Sequence, residues 1–235
     1  MKNSASDLTK FEEAIGLKFK DASLLRQAFL HRSYLNEHRD VKMDHNERLE
    51  FLGDAVLEII VTDYLFRRYP DKAEGELTAI RSALVNAITL SEVAGKLEMN
   101  DYLLLSRGEA KDMGRARQYI LANTFESLIG AIYLDQGYAA ANDFISKQVF
   151  PLTDEIVEKV LWQDAKSLFQ EKAQENNGHT PSYNVLSETG PDHNKRFVVG
   201  LYIGQELVAE GDGHSKQEAE QAAAQAGLEK KGWKI

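Results

Sequence analysis

The chain has 235 residues, enough for one large domain or two ordinary ones, and its 43% apolar content is ample for packed cores. A formal charge of −9 argues against a protein that holds nucleic acid by bulk positive charge, and the absence of cysteine excludes disulfides and thiolate metal sites. The first sixteen residues lack an apolar signal-peptide core, and no run of about 18 uncharged apolar residues occurs, so a soluble cytoplasmic protein without a membrane partner is expected.

Ser6 or Asp7 can cap a first helix with Leu8, Phe11 and Ile15 on one stripe and Gly16 as its stop. Asp21 caps a second, apolar at Leu24, Leu25, Ala28 and Phe29, with His31 and Arg32 near its end. After a polar stretch over 36–44, residues 45–57 (HNERLEFLGDAVL) open a helix that continues to the Tyr69-Pro70 break. Residues 76–85, 87–97 and 101–105 also read as helical, 106–115 as a charged, glycine-punctuated loop, and 116–134 and 139–149 as helices again. Through about residue 155 an all-helical domain is expected.

The pattern then changes. Asp164 caps a helix ending at Gly178, and three runs of strand character follow at 182–189, 196–203 and 206–211. Turn signals at 190–193 and 204–205 separate them, and a helix over 215–231 closes the chain. This α-β-β-β-α order predicts a small α+β domain over 162–232, joined to the helical domain by residues 152–163.

Two stretches carry acids inside apolar runs. On a helix, Glu47, Glu50 and Asp54 fall within about 60° of one another, and like charges so placed favour a bound cation or a shared proton. Asn123 and Glu126, three residues apart in ILANTFESLIGAIYLD, share a face of a second helix. If the two helices pack together, Glu50, Asp54, Asn123 and Glu126 converge as an all-oxygen site suited to Mg²⁺ or Mn²⁺, which can activate water and neutralise a phosphate. The alternative reading is a solvated acidic face on each amphipathic helix. None of the six histidines has ligand spacing. The charged loop 106–115, with Arg107, Lys111, Arg115 and Arg117, is either merely mobile or a phosphate contact.

HNERLEFLGDAVL, together with FLHRSY (29–34), EGELT (74–78), ILANTFESLIGAIYLD and the C-terminal unit, resembles bacterial ribonuclease III over nearly the whole chain. The resemblance implies a homodimeric, Mg²⁺-dependent endonuclease, with Mn²⁺ as a substitute and no small-molecule cofactor. It would cut double-stranded RNA to 5′-phosphate and 3′-hydroxyl ends and process ribosomal, messenger and other structured RNA precursors. By motif, Asp54 and Glu126 correspond to catalytic acids, Glu50, Asp54, Asn123 and Glu126 to the metal site, Glu47 and Glu74 to accessory acids, and Phe51 to the aromatic inserted into the partner subunit. One departure stands out: Asn123 occupies a position where the family usually has aspartate, which removes one negative charge. A dsRNA-binding dimer with weak or no cleavage is therefore the alternative.

The C-terminal unit resembles a double-stranded RNA-binding domain, which reads A-form shape across minor grooves. The resemblance places Lys166, Gln170 and Glu171 of its first helix and His193 of the first turn on RNA. His214, Ser215 and Lys216 sit at a helix start suited to phosphate. Lys216 by itself fits a solvated helix-start lysine better than a phosphate ligand, until its loop and the resemblance are counted. Gln217 replaces a frequent second lysine, and acids outnumber bases over 156–235, so modest affinity per module is expected, offset by dimerisation.

Overall fold

A computed structural model describes residues 8–112, 114–158, 165–191 and 195–233, and the chain divides into two compact units, Met1–Leu161 and Trp162–Ile235. The capping residues Ser6, Asp7 and Asp164 lie outside the described residues, as does His193. Within those residues, no helix is long and apolar enough to cross a membrane.

The first unit is helical. Helix α1 (Leu8–Ile15) buries Phe11 and Ile15 and stops at Gly16, whose φ of +66° suits glycine. Helix α2 (Ala22–Ala28) starts where the Asp21 carboxylate accepts the Ser23 N–H at 2.9 Å. Helix α3 (Arg32–Glu37) was hidden in the sequence, since it buries only Ser33 and has no apolar period; it begins at His31, whose Nδ1 accepts the Ser33 N–H. Helix α4 spans Glu47–Arg68, α5 Glu74–Val85 and α6 Ala87–Lys96. The Glu76 carboxylate accepts the Ala73 N–H, which closes the first turn of α5 two residues ahead of its expected start.

The helix expected at 101–105 does not form. A 3-10 turn covers Met99–Tyr102, and the chain then extends, with Leu103 and Leu105 buried on alternate positions. Leu104 pairs with Leu30 as a parallel bridge, because its N–H donates to the Phe29 carbonyl and its own carbonyl accepts from His31. A second 3-10 turn, Glu109–Lys111, precedes α7 (Arg115–Gln136), and α8 (Tyr138–Gln148) follows at once through Gly137. Residues Leu152–Glu158, read from the sequence as the start of a joining segment, form helix α9, which buries Thr153 and Ile156 and packs on α5. Helix α7 is the centre of this unit: Phe125, Leu128, Ile129 and Ile132 are fully buried, and α2, α4, α6 and α8 all pack on it.

The second unit is helix α10 (Ala165–Asn177), strands β1 (Ser182–Thr189), β2 (Arg196–Ile203) and β3 (Glu206–Gly213), and helix α11 (Lys216–Lys231). The strands form an antiparallel sheet in the order β1-β2-β3, with a two-residue turn at Gly204-Gln205 between the last two. Bulges fall at Leu186 and at Val208, and the second turns Val208 into the core beside Phe169, Leu201, Ala223 and Leu228. Strand β3 runs two residues beyond its expected end, and a Cβ at Gly211 would lie 2.0 Å from the Ala223 nitrogen, so glycine there lets α11 settle onto the sheet.

Candidate active site

Helices α4 and α7 cross at backbone contact. A Cβ on Gly53 would stand 1.8 Å from the Glu126 carbonyl oxygen, and one on Gly130 would stand 2.2 Å from that of Leu49. Each glycine therefore makes room for the other helix, and the crossing brings Asp54 of α4 beside Glu126 of α7. Asn46, only 3% exposed, fixes the start of α4. Its N–H donates to the Leu30 carbonyl at 2.9 Å, its amide to the Ala28 carbonyl at 3.1 Å, and its carbonyl accepts from Ser127 at 3.3 Å. Neither the two glycines nor Asn46 and Ser127 stood out in the sequence, although small residues beside a row of acids are the signal of a close helix crossing.

The acids respond to this enclosure. The Glu126 carboxyl is pushed up to about 8, first by burial and then by the charges of Asp54, Glu50 and Glu58. Burial also raises Glu50, with Glu47 and Asp54 adding to the rise, while a hydrogen bond from Asn123 opposes it. Glu47, Glu50 and Asn123 line a pocket of about 270 Å³ with Arg32 and Tyr119, and Arg32 stands 3.5 Å from the Glu47 carboxylate. Glu58, not singled out by its sequence context, continues the acidic row one turn past Asp54 and pairs with Arg81 at 3.0 Å.

Glu74 is not part of this group. It lines a separate pocket of about 410 Å³ with Phe66, Lys72 and Arg81, and accepts a hydrogen bond from Thr78 at 3.0 Å. Arg117, expected in the charged loop, is instead buried and bonded within the unit. Phe51 is 81% exposed on α4, and Ile59 and Phe66 are exposed on the same side of the helix.

Among the described residues, no group of three or more His, Asp or Glu side chains is drawn together tightly enough to form a ready metal cage. The acids are spread over two turns of α4, and the fourth member of the set is an amide. The donors nonetheless fit a hard divalent cation. All are oxygens, and the half-buried Glu126 carboxyl faces the charges of Asp54 and Glu50, an arrangement that a cation would relieve.

In the second unit, Gln170, Glu171, His214 and Lys216 are exposed. Ser215 caps α11 by accepting the Glu218 N–H at 3.1 Å. Lys166 already has partners, since its Nζ lies 2.5 Å from Glu220 and 5.0 Å from the Tyr183 ring centre. Lys216 stands 5.8 Å over the Phe197 ring.

Residues 21–152 match the family model described as ribonuclease-III-like, and residues 165–231 match the double-stranded RNA binding motif. The ribonuclease 3 of Listeria monocytogenes serotype 4a is 44% identical over 92% of this chain and 94% of its own length. Two structures of the ribonuclease III nuclease domain from Campylobacter jejuni are similar to the helical unit. One is 36% identical with a TM-score of 0.56, covering 62% of this chain and 95% of that one. The other, a structure describing flexibility in a region involved in dimer formation, is 38% identical with a TM-score of 0.55, covering 62% and 99%. A helical nuclease fold followed by a duplex-RNA-binding motif defines the class of double-strand-directed endoribonucleases. The chain belongs to the ribonuclease III family. The non-cleaving scaffold reading is not favoured, because the similarity to ribonucleases runs through both units.

Proposed function

We propose that the chain hydrolyses double-stranded RNA with Mg²⁺, or Mn²⁺ in its place, held by Glu50, Asp54, Asn123 and Glu126, leaving 5′-phosphate and 3′-hydroxyl ends. The observation that carries this reading is the convergence of Asp54 and Glu50 on the half-buried Glu126 carboxyl across the α4–α7 crossing. Asp54 and Glu126 act at the reacting phosphate. Asn123 orients Glu50 through its hydrogen bond and offers a neutral oxygen in place of a fourth charge. Glu126 must release its proton before the set reaches its full negative charge. When bound, the cation supplies Lewis-acid polarisation of the phosphate and stabilises charge on the leaving oxygen.

Glu47, paired with Arg32, and Glu74 on α5 serve as accessory acids along the RNA path. Residues 1–155 form the catalytic and dimerising part and 162–232 the duplex-binding part. There Lys166, Gln170, Glu171, His193, His214, Ser215 and Lys216 meet RNA. Phe51 enters a second copy of the chain, and its 81% exposure with Ile59 and Phe66 beside it supports a homodimer. Structured ribosomal and messenger RNA precursors in the cytoplasm are the substrates this reading implies.

Incubation of the purified chain with an end-labelled duplex and Mg²⁺ tests it: cleavage to 5′-phosphate ends is expected. Glu126→Gln should bind the duplex as the parent does and lose cleavage by more than about a hundredfold, since even an outer-shell partner of a metal site costs 10–100-fold. Full activity in that variant would remove Glu126 from the site.

A further inference from the structure

Arg117 is the one charged side chain that is buried among the described residues, at 6% exposure. It stands in the first turn of α7 and takes no part in the acidic site. Its Nε donates to the Asp112 carbonyl at 3.1 Å, one terminal nitrogen to the Glu109 carbonyl at 2.7 Å, and the other to Asn100 Oδ1 at 3.3 Å. These acceptors come from the two 3-10 turns and from the loop end that leads into α7. Only a planar guanidinium reaches three such acceptors at once, whereas an ammonium group is a point donor.

The same segment is also fastened by α3. The Ser106 N–H donates to Ser33 Oγ at 3.0 Å, and the Arg107 N–H lies 3.2 Å from both oxygens of Glu37. Ser33 in turn shares a 2.8 Å bond with His31 Nδ1. Residues 106–112 are thus a braced ledge, and Arg107 lines a pocket of about 370 Å³ with Glu37 and His38.

We infer that Arg117 is a positioning residue for the substrate: by bracing residues 106–112 it holds the Arg107 side chain where it takes a phosphate of the duplex backbone. The inference rests on duplex RNA being the substrate. An unbraced loop would have to be ordered at each encounter, and that ordering weakens binding without touching the chemistry.

The test uses the full chain and steady-state cleavage of a labelled duplex. Arg117→Lys keeps the charge but loses the fork, and should raise KM about tenfold with kcat unchanged, following the usual relation of binding energy to affinity. Trypsin should cut after Arg107 or Lys111 sooner than in the parent. Arg107→Gln should raise KM in the parent background and add little in Arg117→Lys, because the two changes remove one function. Ser33→Ala, which frees the ledge from α3, is the second route should Arg117→Lys unfold, and should raise KM severalfold. An unchanged KM with a loosened ledge, a fall in kcat alone, or equal Arg107→Gln effects in both backgrounds would overturn the inference. Failure of the parent to bind or cut the duplex would instead remove the substrate reading on which it stands.

Discussion

The two units approach RNA by opposite physical means. In the helical unit the proposed chemistry lies on acids beside the α4–α7 crossing, where two glycines let backbones touch and partial burial raises the Glu126 carboxyl. In the second unit the proposed contacts lie on the surface, and several basic groups are already engaged by acids of the same unit: Lys166 by Glu220, Lys195 by Glu188 and Arg196 by Asp212. A site built on a close helix crossing depends on packing and responds sharply to single changes. Surface sites of this kind depend on small screened terms and respond weakly.

The sharpest way to break this contrast is Gly53→Ala or Gly130→Ala. The added carbon meets backbone oxygen, which cannot rotate away, so a loss of about 3 kcal/mol in the stability of the helical unit is expected by thermal or urea melting. A nearly unchanged melt would mean that the crossing is looser than its geometry.

Next is the pH dependence of stability. A Glu126 carboxyl raised to about 8 favours the fold fully below its unfolded value near 4.5, and that contribution is lost as pH rises through about 8. Without a divalent cation, the parent should melt several degrees lower at pH 8.5 than at pH 5, by about 5 °C or more. Glu126→Gln should lose most of that dependence, and an equal slope in both proteins would place the titration elsewhere.

Asn123→Asp should have a smaller effect. It adds a charge to the set and should lower the Mg²⁺ concentration for half-maximal cleavage by about tenfold, as ligand charge tunes affinity in oxygen sites. No change would mean that the amide already fulfils the role of the acid.

The smallest effects belong to the second unit. Lys216→Ala should weaken duplex binding about threefold and reduce the salt slope by about one, and Glu220→Ala, by releasing Lys166, should strengthen binding by a similar factor. Tenfold effects from either would erase the contrast between the units.

Much of the fold was readable because its signals are periodic and local. The apolar stripes of α4 and α7, the Asp21 cap, the glycine stops and the alternation of the strands each act within a few residues. What was missed depends on partners distant in sequence. Helix α3 has one buried side chain, 103–105 extend because Leu104 pairs with Leu30, and α9 is held by its packing on α5. For the candidate site, the acidic rows of α4 and α7 were legible from spacing and resemblance, whereas the depth at which Glu126 lies follows from a crossing that only the glycines allow. Arg117, whose charge left a mobile loop and a phosphate contact both open, is instead bonded to the Asp112 and Glu109 carbonyls and to Asn100.

The anchoring of Asn46 has a consequence for how the site keeps its shape. The first turn of a helix ordinarily frays, because its N–H groups lack partners within the helix. Glu47 and Glu50 lie in that turn of α4, yet the residue before it is tied to the Ala28 and Leu30 carbonyls and to Ser127 of α7. Unwinding the turn requires these bonds, which tie it to residues 28–30 and to α7, to be released with it. The weakest part of an ordinary helix is here locked into the cooperative centre of the unit, so its acids are lost only when the centre itself opens.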